Sequence, residues 1–190
     1  DDGIYCEYSS PTIQQNQISY NNVYGIYCYG SSPTIHQNQI NNNYYGIECS
    51  SSSSPTIQQN QINNNNRGIN CFWYSSPTIQ QNQINNNDRG IYCSYSSSPT
   101  IRNNSIVQNN GSGVYTENNS NPAIFNNILA WNNLGVNLSS APSTLSYNLF
   151  WDNTTLYQGS VPPAFGNVVT QNANGDPCDT YFNLFMDPEF

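Results

Sequence analysis

Charge is scarce in this chain. Three of 190 residues are basic, Arg67, Arg89 and Arg102, against eleven acids, and His36 is the single histidine. A net charge of −8 with so few cations excludes a nucleic-acid interface, which needs a basic face to meet phosphates, and disfavours anionic membrane surfaces. Long apolar runs are missing as well. No stretch approaches the roughly 18–20 residues that cross a bilayer, and the opening "DDGIYC" has no basic segment followed by an apolar one. The hydrophobic fraction, 36%, is thin for an ordinary globular core, and the charged fraction, 7%, is far below that of a disordered chain. Fifteen tyrosines and regularly spaced isoleucines also argue against disorder, which leaves order through repetition.

The repetition is explicit. "SSPTIQQNQINNN" stands at residues 53–65 and again at 75–87. A glycine followed by an apolar residue opens each copy at Gly3, Gly25, Gly46, Gly68, Gly90, Gly113 and Gly135, a period of about 22. Three apolar columns follow from this alignment, represented in one copy by Ile69 with Cys71, by Ile79 and by Ile84. Residues i and i+2 share one face of a strand, so Ile69 and Cys71 both point inward. The segments "GIYC", "PTIQ" and "NQI" are too short for helices, and Ser, Pro, Asn and Gly mark the corners between them. Stacked copies place like strands side by side about 4.8 Å apart, giving three parallel sheets around a narrow interior. Two asparagine columns, Asn16 to Asn148 and Asn21 to Asn153, recur in all seven copies and are expected to form hydrogen-bonded ladders at corners.

With "GIYC…SSPTI…NQI…N" recurring at 22 residues, the asparagine columns, and "NLFWDN" at 148–153 echoed by "NLFMDPEF" at 183–190, the chain resembles the right-handed parallel β-helices of the pectin-lyase-like superfamily in their short-repeat extracellular form. The resemblance implies an all-β, right-handed solenoid of about seven coils, secreted or displayed at a cell surface. Right-handedness also agrees with the usual hand of parallel crossovers. Residues 1–155 are read as the repeats, and 156–190 as an irregular excursion returning as a partial final coil of the same domain.

Five of the six cysteines fall in one row, one per coil. Such a row cannot converge on a tetrahedral metal, and parallel Cβ vectors suit a bridge poorly, so a stack of thiols acting as small hydrophobes is favoured over disulfides. No cofactor is expected. Function is sought where the copies differ, on the outward positions flanking the cysteines. Aromatic rings there suit sugar faces, and acids suit hydroxyls: Tyr5, Tyr27, Tyr29, Phe72, Trp73, Tyr92, Tyr95 and Glu48 are the glycan-contact candidates.

Catalysis has weak support. The lyases that the fold resembles need clustered acidic calcium ligands with a base, and the hydrolases need paired carboxylates about 5–9.5 Å apart. Here acids are sparse, and Asp152, Asp176 and Asp179 of the excursion are the only reserve. Asp88, Arg67 and Arg89 read as a surface ion-pair group, and His36 lies on a solvated face. The outward threonines from Thr12 to Thr144 lack a matched second rank, which sets ice binding aside. The expectation is a structural β-solenoid that self-associates end to end or side by side; the alternative is a carbohydrate-binding or polysaccharide-degrading module.

Overall fold

The computed structural model describes residues 1–140, 142 and 144–189. Its strands build three parallel sheets: one of eight strands, from Ile4–Glu7 to Thr155–Gly159, one of seven, from Thr12–Gln14 to Thr144–Ser146, and one of seven, from Gln17–Ser19 to Leu149–Trp151. A representative coil contributes Arg67–Cys71, Thr78–Gln80 and Gln83–Asn85, one strand to each sheet. The chain winds as a right-handed parallel β-solenoid. Registry follows the period without slippage: Ile69 pairs with Ile47 and Ile91, Ile79 with Ile57 and Ile101, and Ile84 with Ile62 and Ile106.

Register is fixed by what lies inside. Ile69, Ile79, Ile84 and Cys71 have no solvent-accessible surface, and a one-residue slip would turn each of them outward. Each buried isoleucine contributes on the order of 2 kcal/mol through burial. In the last coils Thr116 and Leu138 replace cysteine, while Leu129 and Phe150 replace isoleucine, all still buried.

The three corners are stabilised by three polar ladders. In the first, the Asn60 carboxamide nitrogen donates to Asn82 Oδ1 at 3.0 Å, to Ile35 O at 2.9 Å and to Gln58 O at 3.0 Å. Its oxygen accepts from the backbone and side-chain nitrogens of Asn38. The same bonds recur from Asn16 to Asn148, and a second ladder runs from Asn21 to Asn153. A third ladder, not foreseen from sequence, consists of the first serine of each "SSP" and of Ser120 in "SNP": Ser31 N donates to Ser53 Oγ, Ser53 N to Ser75 Oγ, Ser75 N to Ser97 Oγ and Ser97 N to Ser120 Oγ. Corner geometry requires left-handed backbone just ahead of each ladder asparagine, as at Gln59 (φ 55°) and Asn64 (φ 55°), which amide side chains tolerate better than branched ones.

The boundary placed at residue 155 falls within the first sheet's last strand, Thr155–Gly159. Beyond that strand the chain leaves the period, forms a short antiparallel pair, Thr170–Gln171 with Pro177–Cys178, and returns through Leu184, which bridges to Leu149. The return adds an eighth member to the first ladder: Asn148 donates to Asn183 Oδ1 at 3.1 Å. There the ladder stops. Asp179 Oδ1 accepts from Asn183 N at 3.0 Å and from its side-chain nitrogen at 3.3 Å, in the manner of the next asparagine, but a carboxylate has no amide proton to pass on. Phe165 closes the core beside it, 5.3 Å from Phe150 and 6.0 Å from Phe185.

Candidate functional site

The outward side of the first sheet carries the glycan-contact candidates, and the structure divides them. Tyr5 and Tyr27 meet edge to face at 5.2 Å, and Tyr27 lies 6.3 Å from Tyr29. Tyr8 and Tyr24 join this group through Tyr29 and Tyr27. Phe72, Trp73 and Tyr95 form a second group, with ring centroids 4.9 Å apart for the first pair and 4.8 Å for Phe72 and Tyr95. Tyr5, Trp73 and Tyr95 are about half exposed, and Tyr27, Tyr29 and Phe72 are half-buried.

Two candidates are covered, which corrects the expectation that they present themselves to a ligand. Glu48 retains 6% and Tyr92 5% of their surface. Both lie on the outward face, but longer side chains of neighbouring columns fold over them. The Arg67 guanidinium sits 3.7 Å above the Tyr92 ring and donates to Asn70 Oδ1 at 3.0 Å. Asn70 in turn donates to a Glu48 carboxyl oxygen. Burial pushes the Glu48 carboxyl up to about 7, with the Asn70 hydrogen bond and the Arg67 charge opposing the rise. Burial also pushes the Tyr92 phenol up to about 12, reinforced by its hydrogen bond to Glu117.

The expected ion-pair group around Asp88 is likewise replaced by another arrangement. Arg67 lies between the rings of Tyr45 and Tyr92, and Arg89 lies 4.3 Å over Tyr115 and 5.3 Å over Tyr92. The middle of this face is therefore an alternating layer of tyrosine and arginine, in which each cation takes an aromatic face as its partner.

The cysteine row is a stack of free, buried thiols. Hydrogen bonding to Cys49 and burial push the Cys28 thiol well above its ordinary value, and burial raises Cys6 to about 11. These side chains are neutral packing groups. Of the reserve acids, two are committed to structure: Asp176 accepts from Asn172 at 2.9 Å, and Asp179 holds Gly166, Tyr181 and Asn183, while Asp152 is exposed at its corner. Among the described residues no group of three or more His, Cys, Asp or Glu side chains is arranged to hold a metal ion. Among the described residues no helix is long and apolar enough to cross a membrane.

Sequence reasoning did not anticipate the left-handed backbone under the exposed aromatics. Tyr8, Trp73, Tyr74 and Tyr95 have φ between 47° and 61°, at a corner where Gly30, Ser51, Ser52 and Asn118 serve other coils. That substitution of rings for small corner residues was the available signal.

Parallel coils, asparagine ladders and stacked columns of buried isoleucine, replaced by other apolar residues in the last coils, define the chain's class. A family model described as a right handed beta helix region matches residues 2–150, and the chain belongs to that family. No curated protein matches the chain. No solved structure matches it either.

Proposed function

We propose that this chain is an extracellular structural β-solenoid, a rigid scaffold that associates with copies of itself. The carrying observation is where its most abundant polar groups go. Asparagines and serines that would mark a ligand-binding surface are directed into three ladders joining coil to coil, and the outer face of the first sheet is tied together by its own rings and cations. The extracellular setting is supported by membership of the β-helix family.

The finish of the last coil bears on the mode of association. Phe165 and Asp179 cover that coil, and the outer faces of the sheets remain for contact between copies. Sedimentation velocity over a hundredfold concentration range tests self-association. A concentration-dependent shift from monomer to larger species supports the reading, and a strict monomer contradicts it.

The group formed by Phe72, Trp73 and Tyr95 supports a second reading, as a carbohydrate-contact surface. Its rings are exposed and are mounted on left-handed backbone that costs roughly 1 kcal/mol per residue. Pull-down on insoluble polysaccharides, comparing the parent with Trp73→Ala and Tyr95→Ala, tests it. Retention that both substitutions abolish supports the contact, and equal retention in all three removes it.

A further inference from the structure

One cleft of the molecule lies away from the aromatic groups of the first sheet and its corner. It encloses about 490 Å³ between the last corners of the solenoid and the loop of the C-terminal excursion, a size typical of small-molecule sites. Tyr147, Phe182 and Asn126 line one side, and Asn172, Ala173 and Asn174 line the other.

The solenoid side is unusual for its corner. From Gln15 to Asn126 an amide residue holds this left-handed position in every coil, with φ of 55–57°. At the cleft the same position is taken by Tyr147 (φ 56°) and Phe182 (φ 61°). Their rings stack at 5.3 Å, inclined by 6°, yet remain 58% and 41% exposed. The stack helps hold the returning segment, but an amide at each position would serve the corner with less backbone strain.

The opposite wall is pre-formed. Asn172 is fully engaged within its loop, donating to Asp176 Oδ2 at 2.9 Å and accepting from the Asn174 and Asp176 backbone nitrogens at 2.9 Å each. The carboxamides of Asn126 and Asn174 make no hydrogen bond to another described residue, so two donor and acceptor pairs stand free beside an apolar wall. No charged side chain lines the space, and the Asp176 carboxylate is bonded to the side-chain nitrogen of Asn172 in the same loop.

We propose that this cleft binds a neutral sugar, one pyranose ring lying against Tyr147 and Phe182 with its hydroxyls meeting Asn126 and Asn174. A pyranose offers the required combination of an apolar face and a hydrogen-bonding rim. A uronate would bring a carboxylate toward Asp176 in a chain of net charge −8, so acidic sugars are disfavoured. The site is independent of the Phe72, Trp73 and Tyr95 surface and of self-association.

Calorimetric titration of the full chain with cellohexaose, mannohexaose, maltohexaose and hexagalacturonate tests the proposal. At least one neutral hexasaccharide should bind, and hexagalacturonate should bind at least about tenfold more weakly. Tyr147→Asn and Phe182→Asn restore the amide of the earlier coils, so they should keep or raise the thermal midpoint while weakening sugar binding about tenfold or more. Ala173→Trp, which fills the cleft from the opposite wall, should also weaken binding, whereas Trp73→Ala should leave it unchanged. Failure of all neutral sugars to bind, preference for the galacturonate, or binding that survives both asparagine substitutions and Ala173→Trp would overturn it. Loss on Trp73→Ala alone would assign the sugar to the other surface and likewise overturn it.

Discussion

Four asparagines in a row, residues 63–66, have four different fates. Asn63 is half-buried on the outer side of the third sheet, Asn64 turns the corner in left-handed backbone, Asn65 is buried in the second ladder, and Asn66 is exposed. Composition cannot separate them, but the 22-residue column can, because only Asn65 has an asparagine at the same place in every coil. The same logic applies to Asn60. Asn60→Ala strips Ile35 O and Gln58 O of a donor and leaves the Asn38 amide and the Asn82 oxygen short of partners. Each buried orphan costs roughly 1–3 kcal/mol, so the substitution should destabilise by about 3 kcal/mol or more, while Asn64→Ala, at an exposed corner, should cost about 1 kcal/mol. Denaturant unfolding of the two variants checks this, and equal losses would contradict the ladder's energetic role. Glu48 was the residue the columns misplaced. Alternation correctly put it on the outer side, but whether an outward carboxyl meets water depends on its burial beside Asn70 and the Arg67 guanidinium, which no spacing rule encodes. Its carboxyl titrates at about 7 in the fold against an ordinary value of 4.5. Between these values the unfolded chain has lost the proton that the fold retains, so stability contributed by the neutral form is complete below pH 4.5 and is lost by pH 7. The difference amounts to about 3 kcal/mol. The thermal midpoint should therefore fall as pH rises from 4.5 to 7, and Glu48→Gln should flatten that fall; an unchanged profile in the variant would assign the pH dependence to other groups.

At the scale of the strand and its corner, close approach between coils decides what is allowed. A Cβ on Gly68 would stand 2.6 Å from Gly90 O, 3.1 Å from the Asn87 side-chain nitrogen and 3.2 Å from Ile84. The nearest obstacle is backbone paired in the next coil, so it cannot move aside as a flexible side chain would. Gly68→Ala should cost about 3 kcal/mol or more, at the upper end of overpacking in a core. Hydrogen exchange should show the loss concentrated in strands around residues 67–93, because each coil contacts only its neighbours; uniform loss over all seven coils would show a more cooperative stack. Gly68 was legible as the punctuation that sets the period, and the two asparagine ladders were legible beside it. The serine ladder was within reach. "SSP" repeats as faithfully as "NQI", but serine is so common in corners that its first copy did not stand out from the exposed second. The left-handed residues ahead of the ladders were hidden for a related reason: Gln59 and Asn64 are amides among amides, and position in the corner distinguishes them, not chemistry.

For the whole molecule, the finish of the last coil decides which strand edges stay covered. The echo between "NLFWDN" and "NLFMDPEF" made the returning segment legible, because it repeats a strand and its preceding ladder asparagine. The closure around it was not, since Phe165 and Asp179 lie outside the period and meet Phe150 and Asn183 only after the chain has left the solenoid and come back. The closure does two things at once: Phe165 keeps water from the last apolar ring of the interior, and Asp179 ends a ladder whose next member would otherwise be an open donor. Phe165→Ala should therefore have two separable effects. Loss of a nearly buried ring in contact with Phe150, Phe185 and Tyr157 should destabilise the chain by about 3 kcal/mol. Exposure of Phe150 and the last coil should also bare strand edges there and add a new contact between copies, raising the size of the associated species. Sedimentation velocity and negative-stain micrographs of Phe165→Ala, compared with Asn60→Ala as a variant of similar stability loss with an intact closure, separate the two effects. Larger species in Phe165→Ala alone are the expected outcome; larger species in both variants would attribute association to destabilisation, and larger species in neither would show that the closure does not limit assembly.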